Sequence, residues 1–164
     1  VQHNSEKNIL HNIKKYRKIQ NLAVSGMRME FIPSEIFELH QLRYLDLHYC
    51  ALQKVDFSSC KMNDLIGLGL TGNQLTEIPA GLSNLPFLSS LDLSCNKIDR
   101  LPDDICKLTQ ITALYLDDNK ISVLPECIQE MKQLIRVSLK NNPISDTEKE
   151  RLKKAVPSTI FVFE

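Results

Sequence analysis

Apolar residues in this chain recur on a fixed beat that suits neither a lone strand nor a lone helix. Between Leu88 and Leu108 they stand at Leu88, Leu91, Leu93, Ile98, Leu101, Ile105 and Leu108, with Asn96 and Pro102 among them. These spacings mix a step of two with steps of three to five, so no single period describes the stretch. Moving forward from Leu88 by 23 residues at a time gives Ile111 and Leu134; moving back gives Leu65, Leu42 and Ile19. The pattern LxxLxLxxNxLxx[LI]PxxIxxLxx is thus read six times without insertion. A fixed period of this length predicts a stacked array in which each unit buries its apolar side against its neighbours.

Each part of the unit has a physical reading. Leu91 and Leu93 alternate with Asp92, which predicts a short strand with the leucines inward and the aspartate outward. Asn96 falls where the chain bends and its peptide groups need partners. Its side chain offers both a donor and an acceptor, so Asn73, Asn96 and Asn119 predict a ladder of satisfied turns. Pro102 suits the first position of a short helix, with Asp103 and Asp104 near its positive end and Ile105 and Leu108 on its buried side.

The register divides the chain into one domain, 1–164, with three parts. Residues 1–18 predict an N-terminal helical cap, with Ile9, Ile13 and Tyr16 on one side and Lys7, Lys14, Lys15, Arg17 and Lys18 on the other. Residues 19–141 hold the six repeats. The first has Met27 at the asparagine position. The second has Cys50 there and lacks the proline and isoleucine of its return half, which predicts a looser, non-helical connection at residues 55–60. Residues 142–164 predict a closing cap: Ser145 and Glu148 have capping-box spacing before a helix at 146–155, and Thr159–Phe163 reads as a final strand beside the sixth repeat.

The regular spelling and the ending NNPISDTEKERLKKAVPSTIFVF resemble leucine-rich repeat proteins of the 23-residue kind. The ending is similar to the terminal cap of a bacterial subfamily with an NPISxxEKxR cap. That resemblance implies an α/β solenoid: a right-handed arc with a parallel sheet on its concave side and short helices or 3-10 turns on its convex side. It also implies protein binding, with export and contact with host molecules in some members.

Composition narrows the partners. With 20 basic and 20 acidic residues the chain is neutral and lacks a basic run, which argues against nucleic acid. No apolar run approaches the roughly 18 residues needed to cross a bilayer. The start at Val1 rather than Met fits removal of a preceding signal segment. The expected compartment is therefore the cytoplasm, or the cell surface or exterior if such a segment was removed. Five cysteines stand at 50, 60, 95, 106 and 127, none in a CxxC. Cys60 and Cys106 lie two repeats apart, at least ~9 Å at strand spacing and beyond disulfide reach. Cys106 and Cys127 fall in adjacent repeats and stay open as a pair, but the expectation is a reduced protein.

The fixed register names the candidate site. Outward positions of the second to fifth strands carry Tyr44, Asp46, His48, Tyr49, Gly67, Gly69, Asp92, Tyr115, Asp117 and Asp118. Four of the five glycines fall on this face, three of them in the third repeat, which predicts a shallow notch flanked by tyrosines and carboxylates. Tyrosine gives broad, rigid contact area with a polar tip, the chemistry of binding hot spots. Asp46 and His48 have no accompanying nucleophile, and the aspartates have no calcium-loop spelling, so neither an enzyme nor a metal or other cofactor is expected. The expected partner is a protein, on a monomeric chain. The alternative is a self-associating protein, a homodimer through the C-terminal sheet edge.

Overall fold

The inward leucines of successive repeats stack in a column, and the sheet follows from that column. Leu22, Leu45, Leu68, Leu91, Leu114, Val137 and Phe161 are register partners across seven strands. The computed structural model describes residues 17–164. Its strands are β1 (Asn21–Ser25), β2 (Tyr44–His48), β3 (Gly67–Gly69), β4 (Ser90–Asp92), β5 (Ala113–Tyr115), β6 (Arg136–Ser138) and β7 (Ile160–Val162). They form one parallel sheet in sequence order. Leu45, Leu91, Leu114 and Val137 are fully buried, as are Leu47, Leu93 and Leu116 two positions on. Burying one such side chain contributes about 1.5–3 kcal/mol. Ordering one residue's backbone costs about 1–2 kcal/mol, so a repeat depends on stacking against its neighbours to offset that cost.

Asparagine closes the turns of the third to sixth repeats, as the sequence implied. Asn96 Nδ2 donates to Leu70 O and Leu93 O, both at 3.0 Å, while its Oδ1 accepts from Leu75 N at 3.0 Å. Asn73 and Asn119, one repeat to either side, make the same three bonds, and Asn142 keeps the bonds to Leu116 O and from Ile121 N. Cys50 stands in this ladder and copies half of it. Its thiol donates to Val24 O at 3.6 Å and His48 O at 3.3 Å, the carbonyls equivalent to Leu70 O and Ser94 O around Asn96.

The convex side varies more. Helix α1 (Ser34–Phe37) follows Pro33, and 3-10 turns at Asp103–Lys107 and Glu126–Glu130 follow Pro102 and Pro125. Each proline sits just before the first helical residue, as its N-cap. In the third repeat the turn shortens to Leu82–Asn84. The second repeat has no helix: Asp56 forms a parallel bridge with Ala80, and fully buried Phe57 fills the space, edge-on to Phe37 at 5.7 Å between ring centres.

The cap closes the open end. Ser145 Oγ accepts from Glu148 N at 3.2 Å at the start of helix α2 (Asp146–Ala155). The other half of a capping box does not form. Glu148 instead turns into the fifth repeat, where Oε1 accepts from Leu124 N at 3.0 Å and Arg151 holds both its oxygens and Leu124 O. Thr159 Oγ1 then donates to Leu134 O at 2.8 Å, and β7 docks on β6.

One expectation is overturned. Cys106 and Cys127 form a disulfide between the 3-10 turns of the fourth and fifth repeats, with Cα atoms 6.0 Å apart. The offset of the two positions, one early and one late in its turn, brings them into reach where a same-column pair two repeats apart is not. Cys50, Cys60 and Cys95 are free. The helix expected within residues 1–18 lies almost wholly outside the described residues.

Candidate partner-binding site

The concave face is built by a turn that every repeat makes in the same way. Residues 26, 49, 72, 95, 118 and 141, spaced by 23, all have φ between 53° and 71°. Each sits just before the asparagine position. Gly26 and Gly72 adopt this left-handed backbone freely, whereas Tyr49, Cys95, Asp118 and Asn141 hold it against the steric preference of a side chain. The N–H groups of Tyr49, Cys95 and Asp118 donate along the array, as in Tyr49 N to Thr71 O at 2.9 Å and Asp118 N to Lys140 O at 2.8 Å. Ala51 is left-handed as well, at 59°, so Cys50 is flanked on both sides by such residues.

The expected notch in the third repeat is roofed rather than open. Gly67 and Gly69 are buried, because side chains of β2 lean over them. A methyl group on Gly67 would lie 2.7 Å from Tyr44 Cδ1. One on Gly69 would overlap the Asp46 carboxylate and come 2.9 Å from His48 Cε1. One on Gly72 would overlap the ring of Tyr49. The glycines thus seat the second repeat's side chains. Tyr44 and Tyr49 remain 45% and 61% exposed, so each ring shows its other face to solvent. Asp46 and His48, 3.4 Å apart, are half-buried between them.

The second group of expected residues lies beyond these glycines. Asp92 and Tyr115 are register partners and half-buried, Asp117 is half-buried, and Asp118 is exposed. The carboxylates are already used as acceptors: Asp92 from Ser94 N at 2.9 Å, Asp117 from Lys140 N at 2.8 Å, Asp118 from Asn141 Nδ2 at 2.8 Å. Among the described residues no group of His, Cys, Asp or Glu is placed to hold a metal ion. Cys95 Sγ points at Asp118 Oδ2, 3.7 Å away. Partial burial, then the charges of Asp118, Asp92 and Asp117, push this thiol above its ordinary value.

The burial of two residues on the face was not legible in the sequence. Thr71 Oγ1 is buried without a partner beside the glycines. Ser138, only 3% exposed, lies between the register partners Tyr115 and Val162. The recurrence of Gly, Asp and Asn one place before the ladder position was the available signal for the left-handed turns.

The comparisons agree with this architecture. The leucine-rich repeat region family matches residues 42–155, and the chain belongs to that family. Among solved structures it is similar to a leucine-rich repeat protein of Leptospira interrogans, 32% identical with a TM-score of 0.84, over 92% of this chain and 38% of that one. An internalin of Listeria monocytogenes, InlF, is 21% identical with a TM-score of 0.75, over 92% of this chain and 42% of that one. The functional domain of InlJ from Listeria monocytogenes, described as including a cysteine ladder, is 18% identical with a TM-score of 0.67, over 88% and 29%. The chain thus spans about two fifths of the first two relatives. Among curated proteins there is no match.

Proposed function

We propose that the chain is a bacterial protein-binding module that receives its partner on the concave face, centred on the second and third repeats. One observation carries the reading: Tyr44, Asp46, His48 and Tyr49 are held over glycines of the next repeat while the two rings stay exposed. Such a patch loses little side-chain freedom when a partner arrives, because the glycine seats have already restricted it. Two tyrosines on a rigid sheet supply hot-spot area. Tyr115 stands three strands from Tyr44, ~14 Å at strand spacing, a span suited to a strand or loop of a folded protein. Membership of the repeat family and the likeness to internalins support protein as the partner class. The resemblance of the cap to exported bacterial proteins directs the first search to host proteins. Catalysis and cofactors are not part of the proposal.

The test is capture on immobilised chain with the wild type beside Tyr44→Ala and Tyr49→Ala, followed by mass spectrometry. A protein retained by the wild type and lost from both variants, at unchanged melting temperature, supports the reading. Equal retention by all three overturns it.

A second reading has its own observation. β7 forms the end of the sheet, and Ile160 on it is 55% exposed. An exposed edge recruits further strands, which would give an end-to-end homodimer. Light scattering across concentrations decides it, since a monomer throughout removes this reading.

A further inference from the structure

Adjacent repeats share backbone hydrogen bonds along the concave sheet, but on the convex side several junctions use devices of their own. The first and second repeats meet through Phe37 and Phe57. The second and third share the Asp56–Ala80 bridge and a bond from Asn84 Nδ2 to Ser58 O. The fifth repeat is tied to the cap by Glu148 and Arg151. The fourth and fifth are joined covalently by Cys106 and Cys127. Next to that joint lies a cleft of about 460 Å³ over the return segments of the second to fourth repeats, with Pro102, Ile105 and Leu108 of the disulfide-bearing segment in its wall.

We infer that Cys106 and Cys127 are a redox modification site: a clamp closed by thiol–disulfide exchange in an oxidising compartment, which fixes the convex wall of the fourth and fifth repeats. Both residues are half-buried, so a small disulfide reaches them. The other three cysteines are set apart from this chemistry. Cys50 and Cys60 are buried, and that burial pushes their thiols up. Cys95 is exposed and 3.7 Å from Asp118 Oδ2, and partial burial with the charges of Asp118, Asp92 and Asp117 pushes its thiol up, which disfavours the nucleophilic thiolate.

The step balances with a glutathione-type disulfide as oxidant. The thiolate of one cysteine attacks a sulfur of the oxidant, forming a mixed disulfide and expelling one glutathione thiolate. The thiolate of the other then attacks the protein sulfur and expels the second. Two electrons pass to glutathione, and two protons leave the protein thiols. A bond of this kind persists where the surroundings are oxidising and is rare where glutathione is kept reduced.

The full chain is incubated in a glutathione buffer poised to the oxidising side, denatured without reductant and alkylated. Peptide mass spectrometry is expected to find Cys106 joined to Cys127 and label on Cys50, Cys60 and Cys95. Five labelled cysteines, or a bond that includes Cys95, would overturn the inference. Reduction is then expected to lower the melting temperature of the wild type by about 5–10 °C. It should also speed hydrogen exchange across 103–107 and 126–130. The C106S/C127S variant should respond to reductant in neither measurement. A joined wild type whose melting and exchange ignore the reductant would equally overturn the clamp.

Discussion

The ring of Tyr44 lies across Gly67, so close that a methyl group on that glycine would sit 2.7 Å from Cδ1. The glycine belongs to the third repeat and the tyrosine to the second, and they are register partners on adjacent strands. A residue without a side chain is therefore part of the binding surface, as the seat of its neighbour.

Gly67→Ala is expected to lift Tyr44 from its seat while leaving the fold intact. The clash is with the side of a ring that can rotate away, and alanine is the better strand residue by roughly 0.5–1 kcal/mol. Chemical denaturation should give a stability within about 1 kcal/mol of wild type, whereas affinity for a captured partner should fall with that of Tyr44→Ala. Unchanged affinity would show that the seat is irrelevant.

Gly81→Ala makes the opposite case. Gly81 has φ +72°, and a methyl group there would strike the backbone of Phe57 and Ser58, which cannot rotate away. Left-handed strain alone costs about 1–2 kcal/mol, and the clash adds to it. The denaturation midpoint should drop clearly, with partner affinity preserved in the folded fraction.

How far the sequence carried the structure can be argued from these residues. The 23-residue beat placed Leu93 and Leu116 in the core, and both are fully buried. It placed Asn96 in the ladder, because spacing alone decides which positions face inward in a stacked array. It did not show the roofing of the notch, because the lean of Tyr44, His48 and Tyr49 depends on side-chain packing between repeats. Gly72 was read as part of the notch, yet its φ of +69° shows that it also serves the turn. The disulfide was obscured because the convex segments are irregular and their register is looser than that of the strands.

Asn96→Ala tests the ladder. It strands Leu75 N and two buried carbonyls at once. A loss of about 1–3 kcal/mol in equilibrium unfolding is expected. Leu93→Ala, at a fully buried position, should cost about 2–5 kcal/mol through the cavity it leaves.

Acid should loosen the cap. Burial raises the pKa of Glu148, but its bonds from Arg151 and Leu124 N outweigh this and hold it below the ordinary 4.5. A carboxylate lowered on folding contributes stability that is complete above the unfolded value and is lost as pH falls through the folded one. The gap in unfolding free energy between wild type and Glu148→Gln should therefore be largest near neutrality and shrink below about pH 4.5. A gap that stays constant down to strong acid would contradict the pairing.

The most direct test of concave binding is site-specific photo-cross-linking. A benzophenone amino acid is placed at Tyr44 in one variant and, as a convex control, at Lys107, whose side chain is 64% exposed, in another. Each is irradiated with the captured partner. The account predicts a cross-linked heterodimer from the Tyr44 position and none from Lys107. Cross-links from Lys107 with none from Tyr44 would contradict it.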